Sequence, residues 1–239
     1  MVQIHLIGGE KGGVGKSFVC RSVVSYHLRH QLPLAVFDAD RTNANVLRTY
    51  GKAAGVRRAV LSEGEEFDTA ANAIFNTALD GKRVVVNLPA QVLPALSFWI
   101  EENDLFEMAV DNDVELVHWF VSDGEADSLA LFEQVLDTFA GNMRHVLVAN
   151  DGKTRKWKML MNRSDLLLRL KEMDIPLMRF PRFVGNDDRK RIDALSLTFE
   201  EVQESDAFDA FGRQHVKSFL ERAFAQFEKA GVFDEYEQE

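Results

Sequence analysis

A glycine-rich segment near the amino end carries the residue types best suited to chemistry. It reads G-E-K-G-G-V-G-K-S from Gly9 to Ser17, after an apolar strand-like run and before a helix-like run. Such a turn exposes successive backbone N–H groups and the positive end of a helix to an anion. A lysine followed by a hydroxyl residue adds the two further contacts that a nucleotide phosphate with Mg²⁺ requires. This phosphate loop (residues 9–17) predicts a nucleotide site.

The phosphate loop departs from the usual pattern, G-x-x-x-x-G-K-[ST], at its first position, where Glu10 replaces glycine. It matches instead the variant K-G-G-x-G-K-[ST], whose additional lysine is Lys11. We expect Lys16 to reach the β- and γ-phosphates and the Ser17 hydroxyl to bind Mg²⁺. The predicted nucleotide contacts are Gly12, Gly13, Val14, Gly15, Lys16, Ser17 and Phe18. The alternative is a glycine-rich turn without a ligand, which the strand–loop–helix setting disfavours.

A second group of candidates ends the next apolar run, where Asp38 and Asp40 stand two residues apart. Period-two spacing in a strand puts both carboxylates on one face. We expect Asp38 to hold a water of the Mg²⁺ shell and Asp40 to reach the attacking water near the γ-phosphate. A solvated acidic turn is the alternative.

A third run, V-V-V from position 84, ends in Asn87, where phosphate-loop proteins usually carry an acid close to Mg²⁺. An amide can bond a metal-bound water but has no charge to hold the cation. Either hydrolysis is slow, or Mg²⁺ is held mainly by Ser17 and Asp38, with Asn87 beside them. The alternative is that Asn87 only caps the following turn.

A fourth run ends in Asn150, whose amide presents a donor and an acceptor together, as adenine N6 and N7 require. Guanine-specific sites use Asn-Lys-x-Asp, whereas this chain reads N-D-G-K from position 150. We therefore expect ATP or ADP rather than a guanine nucleotide. Pro181 and Arg182, after the sixth predicted strand, are expected to close over the base through backbone contacts.

Short apolar runs alternate with longer helical patterns, which predicts strands joined by crossover helices. The predicted strands are Gln3–Gly8, Leu34–Asp38, Arg83–Asn87, Glu115–Val121, His145–Asn150 and Pro176–Phe180. The predicted helices are Lys16–His30, Phe67–Leu79, Leu93–Val110, Asp127–Phe139, Arg163–Glu172 and, in the tail, Val216–Ala230. We expect a three-layer, doubly wound α/β fold with a mostly parallel sheet, whose ligands bind at the carboxyl ends of the strands. One domain would span residues 1–239, with a helical, acidic tail from about residue 212.

The composition fits a soluble globular protein: 239 residues, 46% hydrophobic and 28% charged. A run of about 18 apolar residues and a basic, cleavable leader are both lacking, so we expect a cytoplasmic protein without a spanning helix. The single cysteine, Cys20, excludes an intramolecular disulfide and is expected to be buried. A net charge of −10 argues against general affinity for nucleic acid or anionic membrane.

The charge is unevenly distributed. Residues 153–191 hold twelve Lys and Arg against five Asp and Glu, a balance of +7. The basic residues that could contact nucleic-acid phosphates are Lys153, Arg155, Lys156, Lys158, Arg189, Lys190 and Arg191. A solvated face beside the nucleotide is the alternative. The acidic close of the tail, residues 234–239, would be repelled by anionic lipid, so we expect no membrane docking.

With Lys11, the double-aspartate strand end and Asn150 in this order, the chain resembles the ParA/MinD-type ATPases of the deviant Walker A class. The resemblance extends from the first strand to Pro181. In that family the lysine matching Lys11 reaches across a nucleotide-sandwich dimer, and the acid matching Asp40 positions the attacking water. The resemblance implies an ATP-dependent homodimer with Lys11, Lys16 and Asp40 in catalysis. It also implies a regulatory or cargo protein as a partner.

The chain resembles in particular the plasmid conjugal-transfer and mobilisation members of that family, through residues 38–45, 93–103 and 197–201. After the double-aspartate strand the family usually carries the sequence D-P-Q, whereas this chain reads D-R-T from position 40. This difference disfavours a role in chromosome or plasmid partitioning proper, and Asn87 disfavours rapid turnover. We expect a weak ATPase that couples dimerisation to plasmid DNA transfer, partition or positioning. The alternative is an ATP-binding interaction module with little or no hydrolysis. A metabolic enzyme on this scaffold would need a nucleophile constellation that the chain lacks, and an iron–sulfur reductase would need two bridging cysteines.

Overall fold

The computed structural model describes residues 1–139 and 141–233. Its strands are β1 (Val2–Gly8), β2 (Ala35–Asp38), β3 (Arg57–Arg58), β4 (Val84–Asn87), β5 (Val114–Ser122), β6 (Arg144–Asn150) and β7 (Leu177–Phe180). In the described residues they form one parallel sheet of seven strands, in the order β3-β2-β4-β1-β5-β6-β7. The central strands are buried along nearly their whole length because both faces of the sheet are covered. The predicted fold class and the six predicted strands are confirmed, and β3 is an additional edge strand.

Helices cover both faces of the sheet. One face carries α1 (Lys16–Arg29), α2 (Asn45–Tyr50), α9 (Asn186–Leu195), α10 (Phe199–Glu204) and α11 (Ala210–Ala230). The other carries α3 (Asn72–Leu79), α4 (Leu93–Glu102), α5 (Leu105–Asp111), α6 (Ala126–Phe139), α7 (Lys158–Met161) and α8 (Ser164–Glu172). The apolar side chains accordingly form two clusters, one on each side. Alternate residues of β1 show the division, since Leu6 joins one cluster and Ile7 the other.

Several helix bounds differ from the prediction. The helix predicted over Leu93–Val110 is divided between α4 and α5, where Asp104 takes a left-handed conformation with φ of 47°. The helix predicted from Phe67 begins only at Asn72. The tail helix begins earlier than predicted, at Ala210, because the Asp209 side chain accepts a hydrogen bond from the Gly212 N–H and caps it. The acidic residues 234–239 lie outside the described residues.

The sheet brings the predicted site residues to one edge. In the register of the parallel ladders, Asn87 lies beside both Ile7 and Asp38. The phosphate loop follows β1 directly, so it starts next to the end of β4, with the end of β2 one strand further along the sheet. Cys20 is buried in α1, as predicted. No helix within residues 1–139 and 141–233 is both long and apolar enough to cross a membrane.

Candidate nucleotide-binding site

A cleft of about 360 Å³ lies beside the phosphate loop at the carboxyl edge of the sheet. The predicted residues that line it are Gly12, Gly13, Gly15, Lys16, Ser17, Phe18 and Asp40. Its other lining residues are Arg21, Thr42, Asn43, Asn45, Ala90, Arg189 and Asp193. Arg189 and Asp193 of α9 thus form one wall of the cleft. For Arg189 this agrees with the alternative of a face beside the nucleotide, whereas Asp193 was not among the predicted residues.

Glycine sets the shape of the phosphate loop. Gly13 and Gly15 have φ of 76° and 107°, in the left-handed region that other residues rarely adopt. Gly15 also lies so close to Asn150 that a Cβ at this position would stand 2.4 Å from the Asn150 Nδ2 atom. α1 starts at Lys16 without a side-chain cap. The N–H groups of Phe18 and Val19 donate to the Gly15 carbonyl oxygen, so those of Lys16 and Ser17 are the ones left for an anion.

The two lysines of the phosphate loop are held differently. Lys16 is only 7% exposed, and its Nζ donates to the Lys11 carbonyl oxygen at 3.0 Å. Burial lowers the pKa of the Lys16 ammonium, against the opposing effect of Asp40 and Glu10. A buried cation with so few partners favours an anionic ligand, because an uncompensated charge is costly away from water.

Lys11 instead extends away from the cleft lining toward the start of α6. Its Nζ forms ion pairs with Asp123 Oδ2 at 2.8 Å and with Asp127 Oδ1 at 2.9 Å. Hydrogen bonds to Asp123 and then Asp127 raise the pKa of the Lys11 ammonium. Sequence reasoning did not identify these two acids.

Glu10, which departs from the usual pattern, fastens the phosphate loop to α4. Its Oε2 accepts a hydrogen bond from the Leu93 N–H at 3.2 Å, at the positive start of that helix. Its backbone carbonyl accepts from the Gln91 N–H at 3.0 Å. Burial raises the pKa of the Glu10 carboxyl. The Glu10 side chain therefore makes a contact with the start of α4 that a glycine could not make.

The two aspartates after β2 have different surroundings. Asp38 is 2% exposed; its Oδ1 accepts from the Asp40 N–H at 3.2 Å and its Oδ2 from the Leu47 N–H at 2.9 Å. Asp40 Oδ1 accepts from the N–H and the hydroxyl of Thr42, at 3.1 and 2.7 Å. Among the described residues Asp40 Oδ2 has no hydrogen-bond partner, and the side chain lines the cleft. The Asp38 carboxylate therefore holds the backbone between β2 and α2 in place, whereas Asp40 keeps one carboxylate oxygen without a partner in the described structure.

Asn87 fits a position beside a hydrated cation. It is fully buried, its Nδ2 donates to Asp38 Oδ1 at 2.8 Å, and its Oδ1 has no partner in the described structure. Mg²⁺ binds oxygen ligands and keeps several waters, one of which could donate to this oxygen. In residues 1–139 and 141–233 no group of three or more His, Cys, Asp or Glu is placed to hold a metal. Ser17, Asp38 and Asn87 would therefore need nucleotide oxygens and water to complete the shell.

Asn150, predicted to read adenine, braces the phosphate loop. Its Nδ2 donates to the Val14 carbonyl at 2.7 Å, and its Oδ1 accepts from the Gly152 N–H at 2.9 Å. One N–H of the amide remains for a base. Pro181 and Arg182 do not line the cleft; they line a separate recess of about 480 Å³. Their contact with a base, like that of Asn150, stays a prediction.

Comparison with solved structures identifies the fold. Cell division ATPase MinD of Pyrococcus furiosus superposes with a TM-score of 0.56, covering 96% of this chain and 99% of that chain at 15% identity. MinD of Pyrococcus horikoshii, solved with Mg-ADP, gives 0.54 over 99% and 100% at 16% identity. The chain has the MinD-type P-loop fold. The MinC:MinD complex of Aquifex aeolicus matches it with a TM-score of 0.54, over 94% of this chain and 96% of that one, at 12% identity.

TraL and MobD proteins are among the sequence relatives of this MinD-like chain. Protein TraL of Escherichia coli is 27% identical over 250 aligned positions, covering 97% of this chain and all of TraL. Protein MobD of Acidithiobacillus ferrooxidans is 26% identical over 203 positions, covering 83% of this chain and 87% of MobD. No protein-family model matches the chain. The predicted resemblance to MinD-type ATPases is confirmed, while the role of Lys11 stays a prediction.

On this MinD-like fold the predicted basic residues fall on two segments, one from the loop after β6 into α7 and the other in α9. In α9, Arg189 lines the nucleotide cleft, and Lys190 lies 3.8 Å from Asp187. Arg191 Nη1 donates to the Ala207 carbonyl at 2.8 Å. Arg191 is thus engaged within the chain, whereas Arg189 belongs to the cleft wall and Lys190 remains largely exposed.

The other basic cluster adjoins the recess beyond β6 and β7. The arginine recess is formed by Arg155, Arg179, Arg182 and Arg222 around Asp151, Pro181, Ala225 and Gln226. Its single carboxylate, Asp151, pairs with Arg179 at 2.7 Å. Trp157 is buried and donates to Asp151 Oδ1 at 2.9 Å, so it is not available to stack on a base. Arg179 and Arg222 join this surface only through the fold.

Proposed function

We propose that the protein is an ATP-binding, slowly hydrolysing switch that forms a homodimer with ATP and serves plasmid DNA transfer, partition or positioning. The observation that carries this proposal is the buried Lys16 in a glycine-shaped loop, facing a cleft that also contains Asp40. The MinD-like fold and the relatives TraL and MobD support it.

Each group in the cleft has a distinct task in this proposal. The loop N–H groups and Lys16 bind the β- and γ-phosphates, and the Ser17 hydroxyl, Asp38 and Asn87 would hold Mg²⁺ with its waters. Bound Mg²⁺ would neutralise charge that develops on the phosphate oxygens. The free oxygen of Asp40 orients the attacking water, and Lys11 of the second protomer stabilises the charge from outside.

An interaction module that binds ATP without turnover is the second candidate, and one observation favours it. Asn87 is neutral and already donates to Asp38, so the site has one negative charge fewer than two acids would supply. Phosphate release separates the candidates. Turnover that Asp40→Ala abolishes supports the ATPase, whereas bound ATP without turnover, with or without DNA and protein partners, supports the module.

The test of the site itself is nucleotide binding by Lys16→Ala. We expect at least about 100-fold weaker ATP binding by calorimetry, because charge-assisted phosphate contacts are lost. Lys217→Ala, at an exposed position of α11, is the matched control and should bind as the unaltered protein does. Unchanged affinity in Lys16→Ala would refute the phosphate assignment.

The partners form the last part of the proposal. In gel filtration we expect a monomer with ADP and a dimer with a non-hydrolysable ATP analogue; Lys11→Ala should bind nucleotide but stay monomeric. We also propose non-specific DNA contacts through the arginine recess and through the exposed basic residues after β6, which are Lys153, Arg155, Lys156 and Lys158. Four guanidinium groups around one carboxylate, on a chain of net charge −10, favour a polyanion there. A regulatory or cargo protein would complete the switch.

A further inference from the structure

The inference concerns the two acids that hold Lys11. Asp123 follows β5 directly, and Asp127 lies in the first turn of α6. We propose that Asp123 and Asp127 are positioning residues that keep Lys11 in a resting place on its own protomer. Dimerisation with ATP must then exchange these two ion pairs for the phosphates of the second protomer. This inference rests on the proposed role of Lys11 across the dimer.

The carboxylates of Asp123 and Asp127 also accept hydrogen bonds that do not involve Lys11. Asp123 Oδ1 accepts a hydrogen bond from the Glu125 N–H at 3.1 Å, and Asp127 Oδ1 accepts from the Ser128 N–H at 2.8 Å. Local backbone groups therefore fix both carboxylates. The lysine side chain, with several rotatable bonds, is the part that can leave.

The backbone of Lys11 is tied to the phosphate loop, whereas its ammonium group is bound by the two carboxylates. The Lys11 carbonyl accepts the hydrogen bond from Lys16 Nζ, which ties this peptide to the interior of the loop. Among the residues that the structure describes, Asp123 and Asp127 are the side chains that bind the Lys11 ammonium group, and they direct it away from the cleft lining. In this resting position Lys11 contributes nothing to a phosphate in its own cleft.

The ion pairs are of a kind that can be exchanged. The exposed fractions of the side chains are 26% for Lys11, 17% for Asp123 and 64% for Asp127. Pairs that remain open to water contribute little free energy each. They are thus strong enough to bias the lysine, and phosphate oxygens can still displace them. Because both protomers release a lysine, the bias acts twice on each dimer.

The experiment compares Asp127→Asn with Glu125→Gln. Asp127 is the more exposed of the two acids, so its amide variant should fold. Glu125 is an exposed acid in the same turn that has no contact with Lys11 in the described structure. It controls for the loss of one negative charge. Sedimentation velocity gives the dimer Kd with a non-hydrolysable ATP analogue.

We expect Asp127→Asn to tighten the dimer about tenfold, since two weakened pairs are released per dimer. Glu125→Gln should change the Kd by less than about twofold, because exposed charges interact weakly. With ADP all three proteins should stay monomeric and bind nucleotide equally.

Three outcomes would overturn the inference. If the unaltered protein dimerises and Asp127→Asn gives the same dimer Kd, Asp127 does not restrain Lys11. If Asp127→Asn gives a weaker dimer, the acid instead directs Lys11 toward the second protomer. If no protein dimerises with the ATP analogue although nucleotide binds, the proposed dimer fails and the inference fails with it. The Kd of the unaltered protein distinguishes this last case from the other two.

Discussion

At the scale of single residues, Asn87 changes the character of the metal side of the cleft. Its amide donates to the buried carboxylate of Asp38 at 2.8 Å, where phosphate-loop proteins usually carry a second acid. Two carboxylates at that distance repel each other unless a proton or a cation lies between them. The amide replaces this repulsion with an attractive contact in the absence of metal.

Asn87→Asp should therefore lower the free energy of unfolding of the nucleotide-free protein by about 2 kcal/mol. Mg²⁺ with ATP should restore much of that loss, because the cation lies between the charges. Urea unfolding with and without Mg-ATP measures both effects. Asn87→Ala removes the hydrogen bond without adding charge, so Mg-ATP should not rescue it preferentially. Equal stabilisation of the two variants by Mg-ATP would contradict the assignment of this position.

The residues of the phosphate loop could be predicted from sequence because their chemistry is local. Lys16, Ser17 and the glycines stand within one short segment, and that segment lines the cleft. Asp127 could not be predicted, since it lies 116 positions from Lys11 and only the order of β1 and β5 brings them together. Such pairings have no sequence spacing to recognise.

At the scale of elements, the loop after β6 and the arginine recess carry the proposed DNA contacts. The double variant Arg155→Ala with Arg182→Ala should weaken binding of the ATP-bound protein to duplex DNA. The slope of log affinity against log salt should fall by about one for each lost phosphate contact. Fluorescence anisotropy at several salt concentrations measures this slope. Arg29→Ala, at the far end of α1, is the control, and an equal change there would argue against the recess.

The elements themselves were predictable where burial gave a simple pattern. The strands appear as apolar runs because the sheet is covered on both faces. The break between α4 and α5 was not predictable, because apolar residues such as Phe106 and Met108 continue the helical pattern across it. Asp104 takes the left-handed conformation without a glycine or proline to mark the break, at a residue type that tolerates it. Of the two α9 residues in the cleft wall, the alternative of a solvated face beside the nucleotide includes Arg189 but not Asp193, which no sequence pattern marks.

At the scale of the whole molecule, buried histidines couple stability to pH. Burial lowers the pKa of His118 to about 3 and those of His27 and His145 to about 4. Between pH 6.5 and 4 the unfolded chain therefore binds protons that the folded chain does not. The stabilising effect of the neutral histidines is complete above pH 6.5 and is lost as the pH falls through this window.

His145 provides the test, since neither of its buried ring nitrogens has a hydrogen-bond partner in the described structure. His145→Phe should raise the free energy of unfolding at pH 7 by about 1 kcal/mol, because no polar group is then buried unpaired. It should also reduce the loss of stability between pH 7 and pH 5. His145→Asn should reduce that loss without the gain at pH 7. Urea unfolding at both pH values measures these effects, and an unchanged pH dependence in both variants would contradict the account.

The position of Asn150 has a mechanical consequence for the molecule. Its Nδ2 donates to the Val14 carbonyl at 2.7 Å, and its Oδ1 accepts from the Gly152 N–H at 2.9 Å. The Asn150 side chain thus links the phosphate loop to the turn that begins the basic segment. Because one side chain makes both hydrogen bonds, the two turns are fixed to each other at this point.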